Sequence, residues 1–284
     1  IIASGLPFPT TGYTDISKEL NLLRIGNSVL LEDQFMMIHG MMSTIKALFG
    51  FFKSRPGANP ALVTIQEGTT YEPEIIKAIE EILDENGVVK TSASPELSRI
   101  RKSLQRNRVE SDRMYMSVIQ KYRRAGWITE SEESSRNGRR VIAIFAEQKR
   151  AARGVIHDTS ATGKTAFIEP EETVGINNLT ASLEQEERLE ILRILRELTA
   201  SLRKYVPQLQ LYRIQLGIFD LNYAKAQFAI EIDGKLPQLV KDAVINLKIA
   251  RHPLLLLHNK EQKKPTIPFT RELNHEQRIL VISG

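Results

Sequence analysis

Apolar residues fall at helical spacing through most of this chain and at strand spacing in one central stretch. From the start to about Gly57 the period is near 3.6, with Leu20, Leu23 and Ile25 followed by Met36, Met37, Met41, Ile45 and Phe49, and it breaks at Pro56 and Pro60. A methionine stripe of this kind reads as core packing, not as a cofactor site. Residues 72–86 predict a helix with Pro73 in its first turn, Ile75, Ile76, Ile79 and Ile82 on one face, and Gly87 as its stop. Ser94 as N-cap and Pro95 at the first position open a second helix to about Ala125. It offers Leu97, Ile100, Leu104, Met116 and Ile119 for burial, and Gly126 ends it.

Short β-prone runs at 141–145, 154–157 and 165–168, separated by turn-like or charged residues, predict a small antiparallel sheet. From Asn177, read as an N-cap, a long helix runs to Lys204 with Leu183, Leu189, Leu192, Leu195, Leu198 and Leu202 on its apolar side, stopped by Pro207. At 1.5 Å per residue it spans roughly 40 Å, the length of a strut. A further helix over 211–232 is closed by Asp233 and Gly234, and from Val244 the chain returns to β character. There is no internal repeat and no low-complexity linker.

A length of 284 residues leaves room for two domains or one elongated one, and 42% apolar with 26% charged residues is enough for a real core. The absence of cysteine excludes disulfides, thiolate metal sites and a cysteine nucleophile, and fits the cytoplasmic location expected here. The most apolar window, 35–52, is interrupted by His39 and Lys46 and lacks signal-peptide flanks; it reads as a buried helix, and no membrane partner is expected. A chain that opens at Ile1 without methionine and stops just after the strand-like run 279–282 is expected to be cut at both ends.

Charge sharpens the picture. Lysine and arginine number 39 against 34 acids, a formal charge of +5, which favours a polyanionic partner. The cations concentrate on the helix before the sheet (Arg99, Arg101, Lys102, Arg106, Arg108, Arg113) and continue into it (Arg139, Arg140, Lys149, Arg150, Arg153). Two readings stand side by side: a phosphate-backbone surface that positions a duplex, with too few interleaved aromatics to stack single-stranded bases, or a solvated helix face paired with the acidic stretch 184–190.

Gly163, Lys164 and Thr165 invite a nucleotide-binding reading and then contradict it. A phosphate loop needs a glycine five positions before the Gly-Lys pair, where this chain has Asp158, and a helix after it, where this chain has Ala166 to Pro170. The segment is expected to be a hairpin turn carrying a lysine. His157, Asp158 and Ser160 have the residue types of a hydrolase triad, but on one extended strand they alternate faces and do not converge. His157, Asp158 and Glu169 match no metal-ligand spacing, His252 between Arg251 and Pro253 reads as structural, and His275 with Glu276 lacks the second histidine of a zinc-protease helix. No catalytic residue and no metal ligand is assigned, and no catalysis is expected of this chain by itself.

Taken together, GVIHDTSATGKTAFIEP, the preceding RNGRRVIAIFAEQKR, the helix LEQEERLEILRILREL, ARHPLL at 250–255 and the terminal RILVISG resemble the MutS family. The resemblance is to its second bacterial branch, the MutS-two type, whose members lack the mismatch-reading domain. It covers most of the chain and is strongest from Ser94 to Gly284. It implies a mainly α fold with elongated lever helices, a small antiparallel β clamp-like insertion and the first strands of an α/β ATPase domain. The division implied is 1–94 as N-terminal helical core, 95–206 as insertion with levers, 207–243 as returning core helix, and 244–284 as the start of the ATPase, ending before its phosphate loop.

The resemblance further implies DNA-directed ATPase activity in a full-length parent, acting as a homodimer on branched or recombining DNA with ATP and Mg²⁺, and no cofactor in this chain alone. A ribosome-directed role, or docking of a helical module on a protein partner, is the alternative. Phosphate contacts are expected at Lys102, Arg106, Arg113, Arg139, Arg140, Lys149, Arg150, Arg153 and Lys164. Gly284 would be the first glycine of the phosphate loop. The position that often holds an adenine-stacking aromatic is Thr266, with Ile267 and Pro268 beside it, a departure from the family pattern.

Overall fold

The computed structural model describes residues 8–9, 13–57, 59–136 and 138–281, with the backbone alone for 130–133. The chain is mainly α with small antiparallel sheets, as expected, and divides into two compact units. One comprises Tyr13–Ser43 and Tyr71–Gln210; the other comprises Ile1–Gly12, Thr44–Thr70 and Leu211–Gly284.

The first unit contains helix α1 (Ser17–Arg24), the opening of α2 (Glu32–Lys53), α4 (Pro73–Ile82), α5 (Pro95–Arg124), strands β1 (Ile128–Arg136), β2 (Arg139–Phe145), β3 (Gly154–Thr159) and β4 (Thr165–Pro170), and α6 (Glu171–Leu202). The single-turn helix α3 (Pro60–Val63) belongs to the other unit. The buried face of α2 is Phe35, Ile38, Met41, Met42, Ile45 and Leu48, so Met36, Met37 and Phe49 lie at its margin and not at its centre. Among the described helices α2 is the one long and apolar enough to cross a membrane, yet those six side chains are at most 1% exposed, as expected of a core helix.

Two predicted boundaries move for identifiable reasons. Helix α4 stops at Ile82, four residues before the expected end, because the Asp84 carboxylate captures the backbone N–H groups of Asn86 and Val88 at 3.0 and 2.8 Å, closing a turn that Gly87 completes with φ +78°. Helix α6 begins at Glu171, not Asn177. Strand β4 delivers Pro170 straight into the helix, and Glu171 and Glu172 complement its N-terminal dipole. Asn177 is therefore an interior, buried position. Pro207 sits in the first turn of the next helix, α7 (Val206–Glu231), where its missing N–H costs nothing, so α7 starts five residues before the expected 211.

Helices α5 and α6 run antiparallel, clasped by Ser94 to Glu190 at one end (2.6 Å) and Lys121 to Glu172 at the other (2.8 Å). Between these lie an apolar contact of Ile100 and Leu104 with Leu183, and Asn107, which donates to the Ile176 carbonyl (3.1 Å) and the Thr180 hydroxyl (2.6 Å). Met116, Leu189 and Leu192, expected inside, are 56, 57 and 42% exposed, while Tyr115 is fully buried.

The sheet inserted between these helices has the order β1-β2-β4-β3, antiparallel throughout. Ile142, Ile144, Ala166 and Ile168 pack on Tyr115, Val118, Ile119 and Tyr122 of α5, with Trp127 and Ile128 at the margin. Strand β1 was not expected. Its sequence, ITESEESSR, has no apolar alternation; it joins through backbone pairing with β2 as an edge strand.

In the second unit, Phe8, Phe51, Phe52, Phe219 and Tyr223 form an aromatic cluster, with Phe8 edge-on to Phe51 at 5.3 Å and Phe52 stacked on Phe219 at 5.7 Å. Strand β5 (Ile245–Ala250), helix α8 (Pro253–Glu261) and strand β6 (Phe269–Leu273) follow, β5 and β6 pairing antiparallel. Helix α8 was not expected; His252 caps it by accepting from the Leu255 N–H at 3.3 Å, the structural role read for this histidine. Residues 279–281 form no ladder, and 282–284 lie outside the described residues.

Candidate nucleic-acid interface

The local geometry begins at Ser94, whose Oγ accepts from the Leu97 N–H at 2.9 Å while Pro95 supplies the first helical φ. This start phases the whole of α5. At 100° per residue, Lys102, Arg106 and Arg113 fall within about 40° of one another, on the side opposite the buried stripe of Leu104, Asn107, Ser111, Tyr115, Val118 and Tyr122. All three are exposed and make no ion pair among the described residues. Other cations of the same helix are neutralised, by α6 and in one case also by α5 itself. Arg99 reaches Glu96 (2.6 Å) and Glu186 (3.8 Å), Arg101 reaches Glu187 (2.7 Å), and Arg108 reaches Glu184 (3.8 Å). The reading of a helix face paired with the acidic stretch therefore holds for these three, while Lys102, Arg106 and Arg113 are left exposed.

The same division runs through the sheet. Arg139 binds Glu169 at 3.2 Å, and Arg140 binds Asp112 at 2.6 Å with its guanidinium 4.3 Å from the Tyr115 ring centre. These two arginines are engaged inside the fold. Lys149, Arg150 and Arg153, in the connection from β2 to β3, and Lys164, in the turn between β3 and β4, are exposed and form no ion pair among the described residues. The Ala146 N–H donates to the Lys164 carbonyl at 2.9 Å, which places the turn beside the start of that connection. The Gly-Lys-Thr segment is the expected hairpin turn: Gly163 has φ +70°, the Gly163 N–H donates to the Ser160 carbonyl (2.8 Å), and the Thr165 N–H donates to Ser160 Oγ (3.0 Å).

Glu169, whose side chain is 3% exposed, is the hub that ties sheet to helices. Its Oε1 accepts from Asn177 Nδ2 (2.7 Å) and Arg139, and its Oε2 lies 2.7 Å from His157 Nε2. Asn177 also donates to the Tyr115 hydroxyl, which in turn donates to the Arg140 carbonyl. Burial pushes the Tyr115 phenol above its ordinary range and the Tyr122 phenol up to about 12. The hydrogen bond from Lys121 holds the Glu172 carboxyl below its ordinary value. Asn177 and Glu169 escaped the sequence reading as a pair because Asn177 reads as a cap and Glu169 is weighed only as a metal ligand beside His157 and Asp158.

The residue types of a triad do go to separate partners: His157 to Glu169, Asp158 to Arg136 at 3.1 Å, and Ser160 to the turn. No group of three histidine or carboxylate side chains among the described residues could hold a metal ion. Of the positions considered for nucleotide, Thr266 accepts from Asn259 Nδ2 at 3.1 Å, Ile267 is 85% exposed and Pro268 is exposed, while Gly284 lies outside the described residues.

No protein-family model matches the chain. It is 34% identical over 234 residues to "Endonuclease MutS2" of Carboxydothermus hydrogenoformans, covering 82% of this chain and 29% of that protein. A protein of the same name from Finegoldia magna is 32% identical over 226 residues (79% and 28%), and one from Pediococcus pentosaceus 31% over 287 residues (100% and 35%). The chain thus spans about a third of the length of these relatives. The whole-chain match to the Pediococcus protein joins the helix pair, the inserted sheet and the C-terminal strands in one continuous relationship, and the chain belongs to the MutS family, in its second, MutS2-type branch.

Proposed function

We propose that this chain is the DNA-binding core and clamp portion of a MutS-type ATPase acting on branched or recombining DNA in the cytoplasm, in recombination suppression and repair. The observation that supports it is the sorting of the basic residues. Of the nine positions expected to contact phosphate, Arg139 and Arg140 are bound internally, whereas Lys102, Arg106, Arg113, Lys149, Arg150, Arg153 and Lys164 face solvent in one unit without ion pairs among the described residues. Exposed cations on a helix and on the connections of the inserted sheet suit contact with a phosphate backbone.

In this reading 95–206 carries the clamp and its levers, 244–284 opens the ATPase, and a longer homodimeric parent closes around the nucleic acid. ATP would supply the energy of closure in that parent, with Mg²⁺ neutralising its phosphates. The residues present do not by themselves form a nucleotide site: Ile267 is 85% exposed, Thr266 is already hydrogen-bonded to Asn259, and neither brings a phosphate or metal ligand. The relatives carry the name endonuclease; the reading assigns bond cleavage to none of the residues described above.

The test is binding of this chain to a four-way junction, a linear duplex and ribosomes across a salt series, with Lys149→Glu/Arg150→Glu/Lys164→Glu as control. Junction binding that is lost on charge reversal is expected. Binding to ribosomes alone would overturn the DNA reading in favour of a role in translation.

A further inference from the structure

Phe145 closes strand β2 in a way its neighbours do not. Val141, Ile142, Ala143 and Ile144 are fully buried, yet Phe145 is 42% exposed. Strand alternation sets its side chain on the face of Val141 and Ala143, away from Ile142 and Ile144, which pack on α5. On that face Phe167 has its ring covered by the Arg136 guanidinium at 3.8 Å, which Asp158 holds in turn. Phe145 has no ring or guanidinium partner among the described residues.

Single exposed apolar residues are common and need no explanation. This one stands beside two basic segments, the β3–β4 turn that carries Lys164 and the connection that carries Lys149 and Arg150. Its N–H donates to the Trp127 carbonyl (2.9 Å) just past the end of α5, its cross-strand partner is Thr165, and the next N–H, of Ala146, binds the Lys164 carbonyl. Lys149 and Arg150 follow within five residues, both exposed. An aromatic face set among unpaired cations is the arrangement that stacks a nucleobase while the cations hold its backbone. An intact duplex presents no free base face, so the ligand is DNA with unpaired bases at a branch, gap or flap.

We infer that Phe145 stacks on an unpaired base at a DNA branch point, and so gives this surface its preference for branched over linear DNA. The inference rests on the DNA-directed reading above and adds the residue and the feature recognised.

The experiment measures affinity of this chain for a three-way junction with two unpaired nucleotides and for a linear duplex of equal length, at matched salt. A 2-aminopurine at the branch reports stacking. Phe145→Ala is expected to weaken junction binding about tenfold, leave duplex binding unchanged and abolish the fluorescence change, while Phe145→Trp retains all three. Matching thermal unfolding of the variants certifies the fold. Equal junction affinity for Phe145→Ala and the unaltered chain, or equal losses on both DNAs, overturns the stacking role alone. Failure of the unaltered chain to bind either DNA overturns the DNA-directed reading itself.

Discussion

Gly154 is held by a close approach that no other residue fits: a Cβ there would lie 2.2 Å from the Glu169 carbonyl oxygen, across the β3–β4 pair. Gly154→Ala is expected to cost roughly 2 kcal/mol or more, read as a lower denaturant midpoint, because backbone must move to relieve the clash. Ser94 does two jobs, capping α5 and donating to Glu190. Ser94→Ala should cost about 1 kcal/mol from the cap alone. Arg193, and secondarily Ser94, draw the Glu190 carboxyl from 4.5 down to about 2. A carboxyl with a depressed folded pKa adds stability above about pH 4.5 and loses it as pH falls toward 2. The melting temperature should therefore drop across that window, and the drop should be smaller in Glu190→Gln.

At the scale of elements, the sorted cations make a prediction that charge alone could not. Lys102→Glu/Arg106→Glu/Arg113→Glu should leave the melting temperature of the chain nearly unchanged, since these side chains lie opposite the buried stripe of α5. Arg139→Glu, which sets a second carboxylate against buried Glu169, should lower it by several degrees, measured by circular dichroism. The hairpin and both ends of α5 were legible because glycine, proline and serine stand where turn and cap chemistry need them. The strand β1 was not, because an edge strand pairs through its backbone and leaves no apolar period. Nor was the start of α6, where an asparagine with the look of a cap is used inside the helix to bind a buried carboxylate. The candidate surface was half legible: spacing along the chain located the cations, but only the packing of α6 on α5, and the pairing of Arg139 with Glu169 and of Arg140 with Asp112, decided which of them are spent.

For the whole molecule, seven exposed cations without ion pairs among the described residues predict, on the DNA-directed reading, binding that weakens with salt. Each phosphate neutralised should contribute about 0.9 to the slope of log affinity against log salt. Replacing one contacting cation with alanine should reduce the slope by about 1, and a slope near zero for the unaltered chain would contradict phosphate contact. The apolar side chains of the C-terminal segment, among them Leu236 at 96%, Leu239 at 92% and Val281 at 85% exposed, predict self-association of this chain at high concentration, detectable by light scattering.

The sheet leaves the helix pair at Arg124 and returns to it at Glu171, and the bond from Lys121 to Glu172 makes these two points neighbours. An insertion whose ends meet is a cassette. It can be exchanged for another small domain without changing the spacing or direction of the two helices, provided the guest brings its own apolar floor for Tyr115, Val118, Ile119 and Tyr122. Grafting a tip with a different binding preference onto an unchanged pair of arms is thus open to the protein engineer, and by the same geometry to gene duplication and drift.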